Sequence, residues 1–347
     1  MKVGYVYDPV YLEHDTGQHP ENAARLEAVM SRLEESSLKK RLYHISPRPA
    51  TIEELALVHR EEYIAYIQAV AKNGGGWLDA DTLVSPGSYK AALYATGGLI
   101  RATEVVMTEG GSAYGLVRPP GHHATATQAM GFCLFNNVAL GARYLKETYG
   151  AKKVMIVDID VHHGNGTQAV FYSADEVLYV SMHQFPAFPG TGNFGEVGDG
   201  QGEGFTVNIP MGKGHGDGDF AKVIYFIVNP LAQAYEPDMI LVSCGFDLYH
   251  RDPLGGMRGT GDGYGLMTFF LVGIAEKVCQ GRIAFIMEGG YSLRGIRECG
   301  LRVMQELCGV SSVSAKSIDK VVGRSPKRLS AIAKAMEVQK KYWKVFR

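Results

Sequence analysis

Cysteine is scarce in this sequence of 347 residues, and the thiols that occur show no pairing pattern. There are five cysteines, an odd number, and no Cys-x-x-Cys spacing. A small disulfide-stapled fold is excluded, because such folds carry even sets of regularly spaced cysteines. The sequence instead predicts buried thiols in a reducing compartment, at Cys133, Cys244, Cys279, Cys299 and Cys308.

Long hydrophobic runs and a secretion signal are also absent. No apolar run approaches the about 18 residues that read as a membrane span. The first residues, MKVGYVYDPVY, carry a charge but no apolar core of signal-peptide length. We therefore expect a soluble, cytoplasmic protein without a membrane partner. No low-complexity linker or internal repeat divides the chain, which predicts a single domain over residues 1–347.

A strong excess of charge of one sign is missing as well, since the formal net charge is -1. The charge is unevenly spread, because residues 311–347 hold ten Lys or Arg and two Asp or Glu. A basic tail can bind nucleic acid. Nothing else in the sequence favours a nucleic-acid partner, so we interpret residues 313–347 as a basic helical segment docked on an acidic body.

Short apolar runs rich in Val, Ile and Met, without polar alternation, are present and are typical of parallel strands buried on both faces. Helical patterns lie between them. This alternation predicts an α/β fold with one open, mostly parallel sheet and helices on both faces. The predicted strands are Val3–Tyr7, Ala113–Val117, Val154–Val161, Glu176–His183, Met239–Gly245 and Ile283–Glu288, and the predicted helices are Ala23–Glu35, Tyr89–Thr108, Asn137–Tyr149, Phe220–Ala234, Met267–Cys279 and Pro326–Phe346.

The densest polar motif follows the third of these strands and reads DIDVHHGNG from Asp158. Side chains at alternate positions of a strand share a face, so Asp158, Asp160 and His162 point the same way. Two buried carboxylates side by side are costly without a cation. A salt-bridge cluster is the structural alternative, but almost no basic residue lies nearby. The motif therefore favours a metal site.

A second strand end, SCGFD, places Asp247 as a candidate third ligand. Taken alone, this Asp is more typical of a turn or a helix cap. With Asp160 and His162 it gives three protein ligands and an open position for water, which is typical of a catalytic zinc site. The same ligand set also accepts iron or cobalt.

Two further loops carry candidate catalytic groups. The loop RPPGHH ends in His122 and His123, which titrate near neutral pH and suit general acid–base catalysis. In isolation, the pair could equally lie on a surface loop or bind a metal. The motif EGGY ends in Tyr291, whose hydroxyl can stabilise an oxyanion. In isolation, this is the weakest of the motifs, because Gly-Gly-Tyr at the end of a strand is usually a simple turn.

Together these motifs resemble the histone deacetylase superfamily, which also includes acetylpolyamine amidohydrolases. The resemblance runs from His19 to about Leu307 and includes FPGTG from Phe188, with the motifs in the family's order. Asn165, the context of Asp247 and the basic C-terminal helix resemble class II and prokaryotic members. The resemblance implies a zinc-dependent hydrolase of linear amide C–N bonds, acting on an acetylated amine such as an acyl-lysine peptide.

The resemblance also implies a role for each matching residue. Asp160, His162 and Asp247 would hold one zinc ion per chain. His123 would be the general base and acid, with neutral Asn165 in place of the Asp of class I members. His122, paired with Asp158, would assist electrostatically, and Tyr291 would polarise the acyl carbonyl.

The tunnel residues and a second cation follow from the same resemblance. Gly131, Phe132 and Phe188 would form the apolar walls of an acyl-lysine tunnel. Asp81 would lie on its rim and accept peptide N–H groups, and Arg25 would line an inner channel for acetate. A structural potassium ion would lie beside the Asp158 strand, with Ser181 and Met182 contributing.

Three alternatives stay open at this stage. An acetylpolyamine amidohydrolase shares the chemistry, but Leu254 stands where a polyamine-selective relative carries an acidic gatekeeper. An arginase-like hydrolase needs a second metal, and Gly164 and Tyr249 stand where its carboxylates would be. A non-enzymatic interaction module is disfavoured by the intact candidate site. The sequence leaves an oligomer open.

Overall fold

A computed structural model of the protein describes residues 3–323 and 329–347, and ten strands lie within them. The strands are β1 (Val3–Val6), β2 (Leu42–Ile45), β3 (Gly76–Trp77), β4 (Leu83–Val84), β5 (Ser112–Gly115), β6 (Val154–Asp158), β7 (Val177–Gln184), β8 (Thr206–Met211), β9 (Met239–Cys244) and β10 (Ile283–Met287). Eight of them form one sheet in the order β2-β1-β5-β10-β9-β6-β7-β8, and every neighbouring pair is parallel. The other two, β3 and β4, form a small antiparallel hairpin.

Twelve α-helices lie within the same residues, and none of these helices combines the length and the apolar character that crossing a membrane requires. They are α1 (Ala24–Glu34), α2 (Ile52–Leu55), α3 (Glu61–Lys72), α4 (Ser88–Glu109), α5 (Asn137–Tyr149), α6 (Asn165–Phe171), α7 (Asp217–Val223), α8 (Asn229–Tyr235), α9 (Gly261–Cys279), α10 (Leu293–Leu307), α11 (Ala315–Val322) and α12 (Ser330–Gln339).

The central strands are buried on both faces, as their unbroken apolar sequences predict. Every residue of β6 (VMIVD), β9 (MILVSC) and β10 (IAFIM) is buried. A strand whose successive side chains are all buried must be covered on both sides of the sheet, because those side chains alternate in direction. The predicted α/β fold, with one open parallel sheet and helices, is therefore confirmed.

The sequence did not predict the two edge strands of this sheet, β2 and β8. β2 is half-buried with an exposed His44, so it lacks the continuous apolar run of a central strand. β8 is fully buried, but it contains Asn208 and Pro210. Proline has no N–H group, so it is tolerated in an edge strand, where one side of the backbone has no partner strand. Neither edge follows the pattern that identifies the centre.

Two predicted helices differ from the structure. The helix predicted over Phe220–Ala234 is divided into α7, a π-helical turn at Ile224–Val228, and α8. Pro230 lies in the first turn of α8, and its missing N–H explains why the regular hydrogen-bond ladder is interrupted just before it. The helix predicted over Pro326–Phe346 has its start outside the described residues, and α12 ends at Gln339.

After α12 ends at Gln339, aromatic residues of the C-terminal segment pack on the edge of the sheet. The Trp343 indole N–H donates a hydrogen bond of 2.8 Å to the Gly204 carbonyl, and its ring lies 5.5 Å from that of Phe205. The Gln339 amide donates to the Thr206 carbonyl of β8. These contacts are aromatic and hydrogen-bonded, whereas the prediction of a docked basic segment rested on charge.

Candidate active site

The predicted site residues lie on four loops at one edge of the sheet. In the centre of the sheet the order is β5-β10-β9-β6, and all four strands are parallel. Their carboxyl ends therefore meet at one edge, which is where ligands bind in open α/β sheets. The loop after β5 carries His122 and His123, the turn after β10 carries Tyr291, the loop after β9 carries Asp247, and the loop after β6 carries Asp160 and His162.

Asp160, His162 and Asp247 form a compact group of potential metal ligands, with one ligand atom of each lying within 4.8 Å of the others. His162 Nδ1 lies 3.2 Å from Asp160 Oδ1 and 3.3 Å from Asp247 Oδ2. Both carboxylates are fully buried.

One buried oxygen of this group accepts no hydrogen bond, although His162 Nδ1 lies 3.3 Å from it. Asp247 Oδ1 accepts the Val161 N–H at 2.8 Å, whereas Asp247 Oδ2 accepts no hydrogen bond. Burial, followed by the charge of Asp160, raises the pKa of Asp247 to about 7. A buried carboxylate oxygen without a donor is costly. A cation would satisfy this oxygen, so the donor set fits a divalent metal.

Glycines line the ligand group on two sides. A Cβ atom at Gly289 would lie 2.3 Å from Asp247 Oδ2 and 2.7 Å from Asp160 Oδ2. At Gly245, a Cβ atom would lie 1.9 Å from Asp160 Oδ2. Only glycine leaves room for the carboxylates at these two positions. Gly289 of EGGY is therefore required for more than turn formation.

The two adjacent histidines have opposite protonation. His122 Nδ1 lies 3.0 Å from Asp158 Oδ2, which also accepts the Tyr179 hydroxyl. Although burial opposes it, the negative charges of Asp158 and Asp160 raise the pKa of His122 to about 10. Burial, followed by the charge of neighbouring His122, holds the pKa of His123 well below its usual value. At neutral pH, His122 is a cation and His123 is neutral.

Asn165 sets the tautomer of neutral His123. Its Oδ1 lies 2.8 Å from His123 Nδ1, while its amide N–H points to the sulfur of Met130 at 3.2 Å. Since the amide oxygen accepts, Nδ1 of His123 carries the hydrogen. The Nε2 lone pair is then free to accept a proton.

Glu288, directly after β10, contacts both the loop after β5 and strand β9, which the sequence interpretation missed. Its fully buried carboxylate accepts N–H groups from Gly121 at 2.7 Å and His122 at 3.2 Å, and it also accepts the Ser243 hydroxyl at 3.0 Å. Burial raises its pKa to about 7. The only sequence signal is a Glu directly after an apolar strand.

Tyr291 reaches the ligand group through the turn at Gly290, whose φ of 107° few other residues tolerate. A Cβ atom at Gly289 would lie 3.1 Å from the Tyr291 hydroxyl, and the same atom would contact the Asp160 and Asp247 carboxylates. The hydroxyl therefore lies near both carboxylates. Burial raises the pKa of Tyr291 well above its usual value, so the hydroxyl stays protonated and can donate.

A cavity of about 410 Å³ connects this group with the surface. Phe188 and Leu254 are 43% and 41% exposed, which places them at its mouth. Gly131 and Phe132 form its wall in left-handed backbone conformations, with φ of 55° and 69°. All the residues predicted for the tunnel line it, together with three residues predicted for catalysis or metal binding and three to which the sequence interpretation gave no role. The tunnel residues are Asp81, Gly131, Phe132, Phe188 and Leu254, the next three are His123, His162 and Tyr291, and the last three are His19, Pro20 and Ala187.

Behind Tyr291, a buried ion cluster includes the predicted Arg25. Arg25 donates to the Gly290 carbonyl at 2.6 Å and pairs with Glu21 at 2.9 Å. Glu21 also accepts from Arg118 at 2.6 Å. The sequence interpretation missed Glu21 and Arg118 as partners, because their separation along the chain hides the contact.

The residues predicted for a second cation lie on neighbouring strands. Ser181 of β7 is the direct register partner of Asp158 on β6, and Met182 follows it. The Ser181 hydroxyl lies 2.9 Å from His183 Nδ1. The structure thus places these residues together, beside rather than within the ligand group.

Comparisons with known proteins agree with this arrangement. A family model described as the histone deacetylase domain matches residues 19–307. A probable deacetylase of Archaeoglobus fulgidus is 37% identical over 361 residues, covering all of both chains. A histone deacetylase-like amidohydrolase of Pseudomonas aeruginosa is 39% identical over 311 residues, covering 89% of this chain and 80% of that protein. A crystal structure of the HDA15 HD domain matches with a TM-score of 0.89 at 34% identity, covering 99% of this chain and 96% of that one.

The parallel sheet with its site at the carboxyl edge defines an α/β fold of the deacetylase and arginase type. The match over residues 19–307 shows further that the chain belongs to the histone deacetylase family. The resemblance inferred from the motifs is thereby confirmed, and the family's activity is that of deacetylases and amidohydrolases.

Proposed function

We propose that this protein is a zinc-dependent amidohydrolase that removes acetyl or other short acyl groups from amines, with acyl-lysine as the favoured substrate class. One observation carries the proposal. Asp247 Oδ2, which accepts no hydrogen bond, lies with Asp160 and His162 at the base of a tunnel that also contains neutral His123 and protonated Tyr291. This set provides a cation site, a base and an oxyanion donor together.

Zinc held by Asp160, His162 and Asp247 would act as a Lewis acid that polarises the acyl carbonyl and acidifies water. The residues of the chain perform the proton transfers. His123 accepts the proton of the attacking water at Nε2, and Tyr291 donates a hydrogen bond to the carbonyl oxygen as that oxygen gains charge. The protonated histidine then gives its proton to the departing amine. Acetate and a free amine result.

His122 and Asp158 would support this sequence without exchanging protons. Because the carboxylate of Asp158 keeps His122 protonated, its positive charge lies next to the reacting groups, 4.0 Å from the His123 ring between centroids. That charge favours the neutral form of His123 before the reaction and stabilises the negative charge that develops during it.

The structure favours one catalytic metal over an arginase-like pair. A Cβ atom at Gly164 would lie 2.2 Å from Asp158 Oδ2, so a carboxylate cannot replace this glycine without moving the site. Tyr249 is buried and donates its hydroxyl to Glu298, away from the ligand group. Both positions where a second metal would need a carboxylate therefore serve packing.

Leu254 favours acyl-lysine over an acylated polyamine. It lies at the mouth of the tunnel, 41% exposed, and offers no charge to a polyamine. We also propose a structural potassium ion beside Asp158, supported by Ser181 and Met182 on the adjacent strand. The five buried, unpaired cysteines support the reducing cytoplasm as the compartment.

A hydrolysis screen of the purified, zinc-loaded protein tests the proposal. We expect release of acetate from acetyl-lysine peptides, measured by the appearance of the free amine. Asp160→Ala should be inactive, whereas Asp217→Ala, which removes a half-buried carboxylate outside the site, should keep its activity. Failure of zinc-loaded wild type to hydrolyse any acyl-lysine peptide or acetylated polyamine would contradict the proposed activity.

A further inference from the structure

Asp252 lies between the tunnel mouth and the Tyr291 turn, and its carboxylate contacts both. Its side chain is 7% exposed. Oδ2 accepts the backbone N–H groups of Tyr291 at 2.6 Å and Ser292 at 3.0 Å. Oδ1 accepts the backbone N–H of Leu254 at 2.9 Å. One carboxylate thus joins two segments that otherwise belong to different loops.

These contacts hold the Tyr291 turn through backbone groups other than those that Arg25 binds. Arg25 donates to the carbonyl oxygens of Glu288 and Gly290, whereas Asp252 accepts N–H groups from the two residues that follow. The turn passes through Gly290, whose backbone freedom alone would leave the ring direction unspecified. Arg25 as hydrogen-bond donor and Asp252 as acceptor therefore fix the turn together.

The position of Asp252 also matches the electrostatics of α10. Ser292 is the N-cap of this helix, and its side chain accepts the Gly295 N–H. A carboxylate next to a helix N-terminus is stabilised by the helix dipole and by its free N–H groups. This explains how a largely buried carboxylate can sit here with backbone donors as its hydrogen-bond partners.

We propose that Asp252 is a positioning residue, which fixes the Tyr291 hydroxyl relative to the metal ligands and couples it to the tunnel rim at Leu254. This inference rests on the proposed function, because Tyr291 is assigned there as the oxyanion donor. It predicts that Asp252 acts on turnover through Tyr291 alone. Asp252 itself does not contact the substrate in this scheme.

A double-mutant experiment measures this dependence. Loss of an oxyanion donor costs on the order of 10²–10³ in kcat, which is the fall expected for Tyr291→Phe. Asp252→Ala should lower kcat by roughly 10-fold or more and change KM by less than about 3-fold, since the bond tightens mainly in the transition state. In the Tyr291→Phe background, Asp252→Ala should lower kcat less than about 2-fold further, because the hydroxyl that it positions is gone.

Asp252→Asn provides a milder variant in case Asp252→Ala does not fold. Its amide keeps one acceptor oxygen, which can serve either the Tyr291 turn or Leu254, but not both as in wild type. Its kcat should lie between those of wild type and Asp252→Ala, and zinc content should stay at about one per chain.

Asp217→Ala is the matched control. Asp217 is a half-buried carboxylate that, like Asp252, accepts a backbone N–H just before a helix, since its oxygens accept the backbone N–H and the hydroxyl of Thr260, the N-cap of α9. Its removal should lower thermal stability without changing kcat. An equal loss of kcat in both alanine variants would show a general structural effect and overturn the inference, as would a full multiplicative loss in the Tyr291→Phe background.

Amide hydrogen exchange separates failure of the inference from failure of the proposed function. Exchange at Tyr291 and Ser292 should accelerate in Asp252→Ala and not in Asp217→Ala, whether or not the protein hydrolyses a substrate. Inactive wild type would contradict the proposed function alone. Active wild type with unchanged kcat and unchanged exchange in the Asp252 variants would overturn the role of Asp252 alone.

Discussion

Two neighbouring histidine rings, 4.0 Å apart between centroids, carry different charges because only one faces a carboxylate. Asp158 lies against His122, and the amide of Asn165 lies against His123. At the scale of single residues, this difference assigns the proton acceptor. A ring that is already protonated cannot take a proton from water, whereas neutral His123 can.

His123→Ala should abolish hydrolysis while the protein keeps its zinc. The reason is that His123 contacts Asn165 and the tunnel, while the ligand group consists of Asp160, His162 and Asp247. Turnover of an acetyl-lysine peptide and elemental analysis of the same preparation provide the measurement. Loss of zinc would make His123 a ligand, and retained turnover would remove it from the mechanism.

Leu254→Glu should shift substrate preference toward polyamines. A polyamine must shed water from its ammonium groups beside the apolar Leu254, and a glutamate there would add a second carboxylate to Asp81 of the tunnel lining. We expect wild type to hydrolyse acetyl-lysine with a higher kcat/KM than N8-acetylspermidine, and the variant to narrow or reverse that ratio. Leu254→Gln, which is polar but uncharged, is the matched control. An unchanged ratio in the glutamate variant would show that residue 254 does not face the substrate.

The structure brings together the site residues that the sequence proposes, but the contacts that hold them could not be predicted from the sequence. Asp160, His162, Asp247 and Tyr291 stand in motifs whose residue types indicate their chemistry. Glu288 and Asp252 instead accept backbone N–H groups, and such a bond depends on the path of the chain rather than on the identity of the donor residue. Their importance becomes visible only in three dimensions.

Elements show the same division. The central strands and α5 are predicted closely, because continuous apolar runs and helix caps are local properties. Asn136 caps α5, and Gly150 ends it in a left-handed conformation. The π-helical turn at Ile224–Val228 could not be predicted, because α7 and α8 form one continuous hydrophobic pattern across it. The edge strands were missed because burial at an edge depends on what packs over it.

A buried histidine connects α5 with the loop after His123 and should make stability depend on pH. His59 Nε2 accepts the Asn136 N–H, and Nδ1 faces the Thr125 carbonyl, each at 2.9 Å. Burial lowers the pKa of His59 from 6.5 to about 4. As the pH falls, the unfolded state therefore binds this proton before the folded state does. The contribution of His59 to the free energy of unfolding is complete above pH 6.5 and is lost as the pH drops toward about 4.

His59→Gln tests this dependence, since glutamine keeps a donor and an acceptor but does not titrate. The free energy of unfolding of wild type, relative to the variant, should fall by up to about 3 kcal/mol between pH 7.5 and pH 4. Denaturant melts of both proteins at each pH give the difference. A constant difference across this range would show that His59 does not titrate with folding.

At the scale of the whole molecule, the sheet order assembles the site from distant parts of the chain. The ligand group then depends on the folded state, so a bound metal should stabilise that state. Chelation should lower the Tm of wild type, and zinc should restore it. Asp247→Ala should bind no catalytic metal, so its Tm should not change with chelator or zinc. The Tm of Asp217→Ala should start lower but change with chelator and zinc as that of wild type does.

Elemental analysis gives the number of metal ions in the same proteins. We expect about one catalytic divalent ion per chain in wild type, with potassium counted separately. Two catalytic ions per chain would contradict the proposal of a mononuclear site and would favour the arginase-like alternative. A Tm that ignores both chelator and zinc would show that the ligand group does not bind the metal in the folded state.

The contact between α12 and β8 bears on aggregation of the chain while it is being synthesised. An open edge strand presents unpaired backbone groups, on which a strand of another chain can be added. Here Gln339 and Trp343 cap carbonyl groups at Thr206 and Gly204, and α12 covers the strand. Since α12 is synthesised long after β8, the growing chain must pass through an interval in which this edge is open. In that interval the strand is a template for aggregation, and docking of the C-terminal segment closes it.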